Sequence, residues 1–414
     1  MHIEEVSAHS LSSPIDPVQE RSFAGGTRRL RKRDVVVVIV ETADGERGIA
    51  PAGASSSAMR EYFEDSSHAT FADVVDDRVA DILAGVSIDG VTEATERLQE
   101  ANLPGEILDQ AISAIDVALH DIAGKEAGAP IYELLADSAG TTPTTDLPMY
   151  ASAGMYMEPD GYVEQASLID EAGFFGYKYR PGIGPAGDRE IVEKLAETID
   201  CEIMIDAHTW WKIRTDDYDA ETVLDLIKHA GDAGAYWVEE PVAPDDYEGY
   251  QALAGRGVRL AGGESEHNPA GLLALADTGA VSFLQGDVRH HHGFIGCWTA
   301  VERCRGTDIA FVPHNFGTWL GLVANAHLVA AAPEAELLEY PVFENDPTIE
   351  TDGDPGMYPF QLAFDILEDA PRISDGVFRV PDGPGLGVEL DMSVIDRYPY
   401  IDGPWTEFRY DAST

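Results

Sequence analysis

The chain has 414 residues, with 75 acidic side chains against 27 basic ones and a formal net charge of −48. Hydrophobic residues make up 44%, enough to bury a core, so the acidity does not signal disorder. A charge this negative repels nucleic-acid phosphate and anionic membrane surfaces, which excludes both as partners.

Only six residues are lysine, and an acidic, lysine-poor surface suits solubility at multimolar salt, so a halophilic source is expected. Three cysteines are too few for a disulfide scaffold. Cys297 and Cys304 lie seven apart on one predicted helix and Cys201 falls in a predicted strand; all three read as buried thiols in a reducing cytosol. No basic-then-apolar leader opens the chain, and the longest β-branched apolar run, Val35 to Val40, is far too short to span a bilayer. The expected location is cytoplasmic.

In chain order, the first 140 residues read as α+β. A short strand over His2 to Ala8 and a loop lead to the run Asp34 to Val40, an Asp-Gly turn and a strand from Gly48, which together spell a hairpin. The loop, Asp16 to Thr27, carries Gly25-Gly26 as a hinge and precedes a basic cluster, Arg28 to Arg33. That cluster either draws in an anionic substrate or pairs with nearby acids. A helix from Glu106 to Gly124 follows, with Ile112, Ile115, Leu119 and Ile122 at helical spacing.

Over residues 141–365 eight short apolar segments recur. Their polar ends fall near 152, 180, 208, 240, 264, 287, 314 and 339, and amphipathic stretches such as Asp188 to Ile199 and Asp219 to Ala230 separate most of them. This rhythm is that of a parallel α/β barrel of the (β/α)8 type. The tail, about 366–414, is rich in Pro, Gly and Asp and is expected to return and complete the first domain.

Barrels of this kind place chemistry at the C-terminal ends of their strands. Here those ends deliver Lys178 and Arg180, Asp206 and His208, Glu239 and Glu240, Glu264, Asp287, His314 and Glu339. Asp206, Glu239 and Glu264 on adjacent strands suit a hard divalent cation, Mg²⁺, which takes oxygen ligands and keeps positions open. His314 follows Phe-Val-Pro, and Asp287 one strand earlier can fix its tautomer and raise its basicity. Lys178 can balance a substrate carboxylate or a developing enolate. His290-His-His292 looks like a metal tract but sits on a predicted loop, where a neutral or substrate-lining role is favoured over a second metal. Gly182-Ile-Gly-Pro-Ala-Gly187, with Asp206 19 residues beyond, matches a dinucleotide fingerprint. Pro185 removes an amide from that cradle and the barrel rhythm continues past it, so nucleotide binding is set aside.

The helix Ala114 to Leu135, the segment Trp237-Val-Glu-Glu-Pro241, Gly263-Glu264 and Asn325-Ala-His-Leu resemble the enolase superfamily, in its mandelate racemase-like subgroup of acid-sugar enzymes. The resemblance covers nearly the whole chain. It implies an α+β capping domain over 1–140, completed by the tail, and a (β/α)7β-barrel over 141–365. It implies one Mg²⁺ held by Asp206, Glu239 and Glu264, abstraction of a proton α to a carboxylate, and stabilisation of the enediolate by the metal and Lys178. Glu339 resembles the family's hydrogen-bonding acid on the eighth strand. The region 16–27 would close the site and set substrate length, and an even-numbered homo-oligomer is common in the family.

One departure is informative. Racemases of the family carry Lys-x-Lys on the second strand, where this chain has Lys178 and Arg180. A guanidinium, with a pKa above about 12, is a poor base. The motif Asp206-Ala-His208 is similar to that of galactonate and gluconate dehydratases, where such a histidine protonates a departing hydroxyl. The resemblance therefore implies a Mg²⁺-dependent dehydratase of a small carboxylate substrate, an aldonic or aldaric acid, giving a 2-keto-3-deoxy acid. His314 is the expected base, oriented by Asp287, and His208 the acid, with Lys178, Arg180, His208 and Glu339 on the substrate. An exchange of the histidine roles, or one histidine serving both steps, remains open, as does a racemase, epimerase or cycloisomerase of the same superfamily.

Overall fold

The computed structural model describes residues 1–53, 70–101, 103–213, 215 and 217–411. The chain opens on an antiparallel hairpin of β1 (His2–Phe23) and β2 (Gly26–Thr42). β3 (Arg47–Ala52) pairs with the second half of β2, as the Asp-Gly turn predicts, and β4 (Val86–Ser87) pairs with the start of β1. The expected loop over 16–27 is a correction: β1 runs on to Phe23. Pro14, Asp16 and Pro17 read as breakers, but Leu11, Ser12, Ser13 and Ile15 are buried and a register shift between Pro14 and Gln19 absorbs the prolines. Gly25-Gly26 is the hairpin turn rather than a hinge. Gly25 has φ +85°, and a Cβ on Gly26 would sit 2.4 Å from the Arg409 carbonyl.

A second irregularity lies on the other edge of β2. The N–H groups of Arg31 and Lys32 both donate to the Trp405 carbonyl, at 3.0 and 3.4 Å, in the manner of a bulge. In a regular strand Arg28 and Arg33, five apart, would face opposite ways. Here both reach one cavity.

A continuous helical stretch over 71–83 and the helices α1 (Val91–Gln99), α2 (Gly105–Ala127) and α3 (Ile131–Ala139) complete the cap among the described residues. α2 is buried along most of its length and ends at Gly128 in the left-handed region, φ +66°. Two of its acids tie the cap to other elements. Asp116 accepts the Phe294 N–H at 2.5 Å; Asp121 accepts the Ile49 N–H at 3.0 Å, the Leu386 N–H at 2.8 Å and the Lys125 ammonium at 2.9 Å.

The barrel has eight parallel strands: β5 (Asp146–Met155), β6 (Gly176–Arg180), β7 (Glu202–Asp206), β8 (Trp237–Glu239), β9 (Leu260–Gly262), β10 (Phe283–Leu284), β11 (Ala310–Phe311) and β12 (Leu338–Pro341). β12 pairs with β5, and a bridge from Phe311 to Ala335 closes the ring. Between the strands run α4 (Pro159–Glu171), α5 (Pro185–Thr198), α6 (Ala220–Asp232), α7 (Tyr247–Leu253), α8 (Pro269–Asp277), α9 (Gly293–Cys304) and α10 (Trp319–Ala331). Among the described residues no helix of that size follows β12. The fold is thus a (β/α)7β-barrel with an α+β cap.

The tail divides its work, which corrects the expectation that all of it completes the cap. β13 (Arg372–Ser374) and β14 (Val377–Arg379) form a hairpin whose second strand pairs antiparallel with the foot of β5, Phe378 opposite Leu147. β5 extends below its barrel neighbours and leaves an edge there that β14 covers. Only later does β15 (Thr406–Tyr410) join β2 in the cap sheet. Cys201 lies just before β7 rather than in it, and all three cysteines are free thiols. No helix among the described residues is long and apolar enough to cross a membrane.

Candidate active site

Strand side chains alternate in and out, so the barrel interior is built in layers. Tyr150, Met204, Trp237, Ala261, Phe283, Val312 and Leu337 form a buried apolar floor. Two residues further along these strands stand Ser152, Asp206, Glu239, Gln285, His314 and Glu339. The same two-residue period that buries the floor therefore lifts polar groups to the barrel mouth. Lys178 is fully buried above the floor, 5.4 Å from the Tyr150 ring centre.

The Lys178 ammonium donates to Glu239 Oε1 and Oε2 at 2.7 and 3.0 Å and lies 2.8 Å from Glu339 Oε1. Burial opposes its charge, but Glu239 and Glu339 outweigh that and hold its pKa well above the ordinary lysine value. Arg180 Nε sits 3.0 Å from Asp206 Oδ2, with its guanidinium over the Phe316 ring at 4.7 Å. His208 Nδ1 lies 2.6 Å from Asp206 Oδ1 and 3.9 Å from Glu264 Oε1. Burial pushes the His208 pKa down despite Asp206.

On the opposite side His314 Nε2 is 3.1 Å from Glu264 Oε2, and its Nδ1 is 3.0 Å from Asp287 Oδ2. Burial opposes charge on this imidazole, but Glu264 and Asp287 raise its pKa to about 9. Arg289 grips Asp287 through Nε and Nη2, and Asn325 Nδ2 donates to it at 3.2 Å. Arg289 and Gln285, whose Nε2 donates to Glu239 at 2.7 Å, were not singled out in the sequence. Both stand two residues from Asp287, so extending the two-residue period past the strand end would have found them.

Asp206, Glu239 and Glu264 offer ligand oxygens that lie within 4.8 Å of one another, the one such cluster among the described residues. Glu240 turns away: at φ +43° it accepts the Ser265 N–H and hydroxyl at 2.8 and 2.6 Å. Asp206 Oδ2 and Glu264 Oε2 are buried and accept no hydrogen bond, their cationic neighbours lying off the hydrogen-bonding direction. Burial, with Asp206, Glu264 and Glu339 close by, lifts Glu239 to about 8 even beside Lys178. Three hard carboxylate donors close together, two of them with an oxygen that accepts no hydrogen bond, fit a divalent cation such as Mg²⁺.

The remaining motifs resolve into separate roles. His290 lines the cavity. His291 accepts the Asp287 N–H on Nδ1 at 2.9 Å and contacts the Glu266 carbonyl through Nε2, and His292 pairs with Asp109 at 2.6 Å. In the glycine-rich stretch the Gly182 and Ile183 amides donate to Asp188, and the Gly184 amide to the Tyr218 hydroxyl, so the would-be phosphate cradle is already filled. In the basic cluster Arg29 and Arg31 pair with Glu20 and Glu407, and Lys32 with Asp34, while Arg28 and Arg33 face the cavity. That cavity, about 440 Å³, runs from His208, Glu264 and His314 at the barrel mouth to Arg28, Arg33 and Trp405 at the cap.

Residues 161–394 match the family described as enolase C-terminal domain-like, and residues 12–136 match the mandelate racemase / muconate lactonizing enzyme N-terminal domain. A D-galactarolactone cycloisomerase of Agrobacterium fabrum is 27% identical over 97% of this chain and 100% of its own length. An L-rhamnonate dehydratase of Saccharopolyspora erythraea is 27% identical over 88% of this chain and 85% of its own. A solved member of the enolase superfamily from a Polaromonas species superposes with a TM-score of 0.80 at 26% identity, covering 98% of this chain and 99% of that one. With both domains matched and the carboxylate cluster at the barrel mouth, the chain belongs to the enolase superfamily, in its mandelate racemase-like subgroup.

Proposed function

We propose that this chain is a Mg²⁺-dependent dehydratase of a sugar acid. The observation that carries the reading is the pair of imidazoles flanking Glu264, His314 at 3.1 Å and His208 at 3.9 Å, each set against its own aspartate. One strand end supplies a base and another an acid, while Arg180, held against Asp206, supplies a fixed cation where a racemase needs a second base.

Asp206, Glu239 and Glu264 would hold the Mg²⁺, whose chemistry is to acidify the α-proton of a bound carboxylate. Asp287 fixes the proton of His314 on Nδ1; Glu264 is the main cause of that ring's raised pKa, so with the Glu264 charge taken up by a cation Nε2 would be free to take the C2 proton. Lys178 lends positive charge beside the reacting carboxylate, in a dry, aromatic-floored pocket where charge stabilisation is strongest. A proton then goes to the 3-hydroxyl as the C3–O bond breaks, releasing water; His208 is assigned to deliver it, and must first be protonated, a state that burial disfavours. The enol then becomes the 2-keto-3-deoxy acid. Arg180 and Glu339 position the substrate.

A second reading, lactone cycloisomerisation, draws on the full-length match to the cycloisomerase. One experiment separates the two. C5 and C6 aldonic and aldaric acids and their lactones are incubated with enzyme and Mg²⁺ in D₂O and followed by proton NMR and 2-keto-acid release. Water loss from an acid supports the dehydratase. Isomerised lactone, with no water lost from any acid, refutes it.

A further inference from the structure

We infer that Arg28 and Arg33 form a subsite for a second carboxylate at the far end of the substrate, so that the acids handled are aldaric rather than aldonic. The inference rests on the sugar-acid reading above and narrows its substrate class.

Four observations converge. The bulge at Trp405 brings two side chains of opposite strand parity into one cavity, so the arrangement departs from what a regular strand would give. Neither guanidinium has an acidic partner among the described residues, in a chain with 75 acids where Arg29, Arg31 and Lys32 alongside all find one. Arg28 donates instead to the Thr406 hydroxyl and the Met155 sulfur, both at 3.1 Å, and Arg33 Nε is buried without an acceptor. Finally, both cations are gripped by rings. Arg28 lies 4.9 and 5.2 Å from the Trp405 and Phe408 centres, and Arg33 lies 4.6 Å from Trp405 and 5.3 Å from Phe316.

Phe316 connects this wall to the chemistry, because Arg180 stacks on the same ring at 4.7 Å. Burial, with Arg33 and Arg180 nearby, pushes the Arg28 pKa below the ordinary arginine value, the signature of cations crowded together without a counter-charge. Among the described residues the one acid in this cap wall is Asp34, whose Oδ1 is taken by Lys32 at 2.9 Å and Ser12 at 2.7 Å, while its Oδ2 is buried and accepts no hydrogen bond. A terminal CH₂OH would leave two desolvated guanidiniums uncompensated, whereas a carboxylate accepts from both in their planar forks.

The test compares acids that differ only at C6: galactarate with galactonate and glucarate with gluconate, at one ionic strength. The expected kcat/KM favours each diacid by roughly 100-fold. In Arg33→Gln and, separately, Arg28→Gln, that ratio falls about 10-fold or more, chiefly through KM, and Arg33→Lys restores part of it. Circular dichroism melts of each variant identify misfolding, and the two substitutions at separate positions serve as controls for one another. A diacid preference near unity, or one untouched by both folded variants, overturns the inference while leaving the dehydratase reading standing. A larger arginine-dependent preference for 6-phosphogluconate than for glucarate overturns the assignment to a carboxylate. If no acid loses water, calorimetric binding of the same pairs with Mg²⁺ decides: tighter diacid binding that depends on Arg33 upholds the subsite although the dehydratase reading has failed, and equal binding overturns it.

Discussion

Asp287 holds Oδ2 3.0 Å from Nδ1 of His314, and this contact decides which imidazole nitrogen faces the carboxylate cluster. Asp287 is itself buried, clamped by Arg289, and held well below the usual carboxylate range by that cation and His314 against the effect of burial. It therefore stays an acceptor and does not take the proton it orients.

Replacing Asp287 with Asn removes the charge and allows the wrong tautomer of His314. The expected result is a fall in kcat of roughly 100-fold or more, with Mg²⁺ affinity nearly unchanged because no cluster oxygen is touched. Steady-state kinetics beside calorimetric Mg²⁺ titration checks this. A parallel loss of metal binding would make Asp287 a structural residue.

The two glutamates of the Trp-Val-Glu-Glu segment part company in the structure, and they should do so in solution. A ligand present at a hundred times its dissociation constant stabilises the fold by about 2.7 kcal/mol. Mg²⁺ should therefore raise the Tm of the parent protein, and a chelator should reverse the gain. Glu239→Gln should abolish both the gain and turnover, while Glu240→Gln, bonded to Ser265, should retain both. Differential scanning calorimetry with and without Mg²⁺ reads the difference.

His208→Asn should split the reaction. With the acid gone but the base intact, exchange of the α-proton with D₂O should continue while water loss drops by roughly 100-fold or more. Equal loss of both would assign His208 to the proton-abstraction step and exchange the two histidine roles.

Much of this site was legible because barrel strands repeat a two-residue period that sequence displays openly. The ends of β6 to β12 were found from apolar runs alone, and Asp206, Glu239 and Glu264 converge as their positions imply. What escaped was whatever depends on partners distant in the chain. Arg289 reads as one more charged loop residue until its fork meets Asp287, and Arg28 and Arg33 read as part of an undifferentiated basic run until the Trp405 carbonyl kinks β2. The length of β1 was hidden by prolines that a register shift tolerates. The split of the tail depends on an exposed foot of β5 that no local pattern reveals.

Stability should also carry an acid-sensitive component remote from the metal cluster. His327 on α10 accepts the Tyr132 N–H on Nδ1 at 3.3 Å and donates from Nε2 to the Leu386 carbonyl at 3.0 Å, which requires the neutral ring. Burial depresses its pKa to about 4, against about 6.5 in an unfolded chain. The neutral form is thus favoured on folding, and its contribution is complete above pH 6.5 and lost as pH falls toward 4. The loss amounts to about 2 kcal/mol by pH 5. Urea unfolding at pH 7 and pH 5 should show a smaller decline in His327→Gln than in the parent; an equal decline would place the acid sensitivity elsewhere.

The division of the tail has a consequence for redesign. Its first hairpin is anchored beneath the barrel, but Trp405, one residue before β15, and Phe408 on it, which flank Arg28, arrive only with the final strand. Residues 405–410 thus shape the arginine wall while touching none of the metal or proton-transfer groups named above. An engineer seeking a new substrate therefore has one short stretch, apart from the barrel, to exchange.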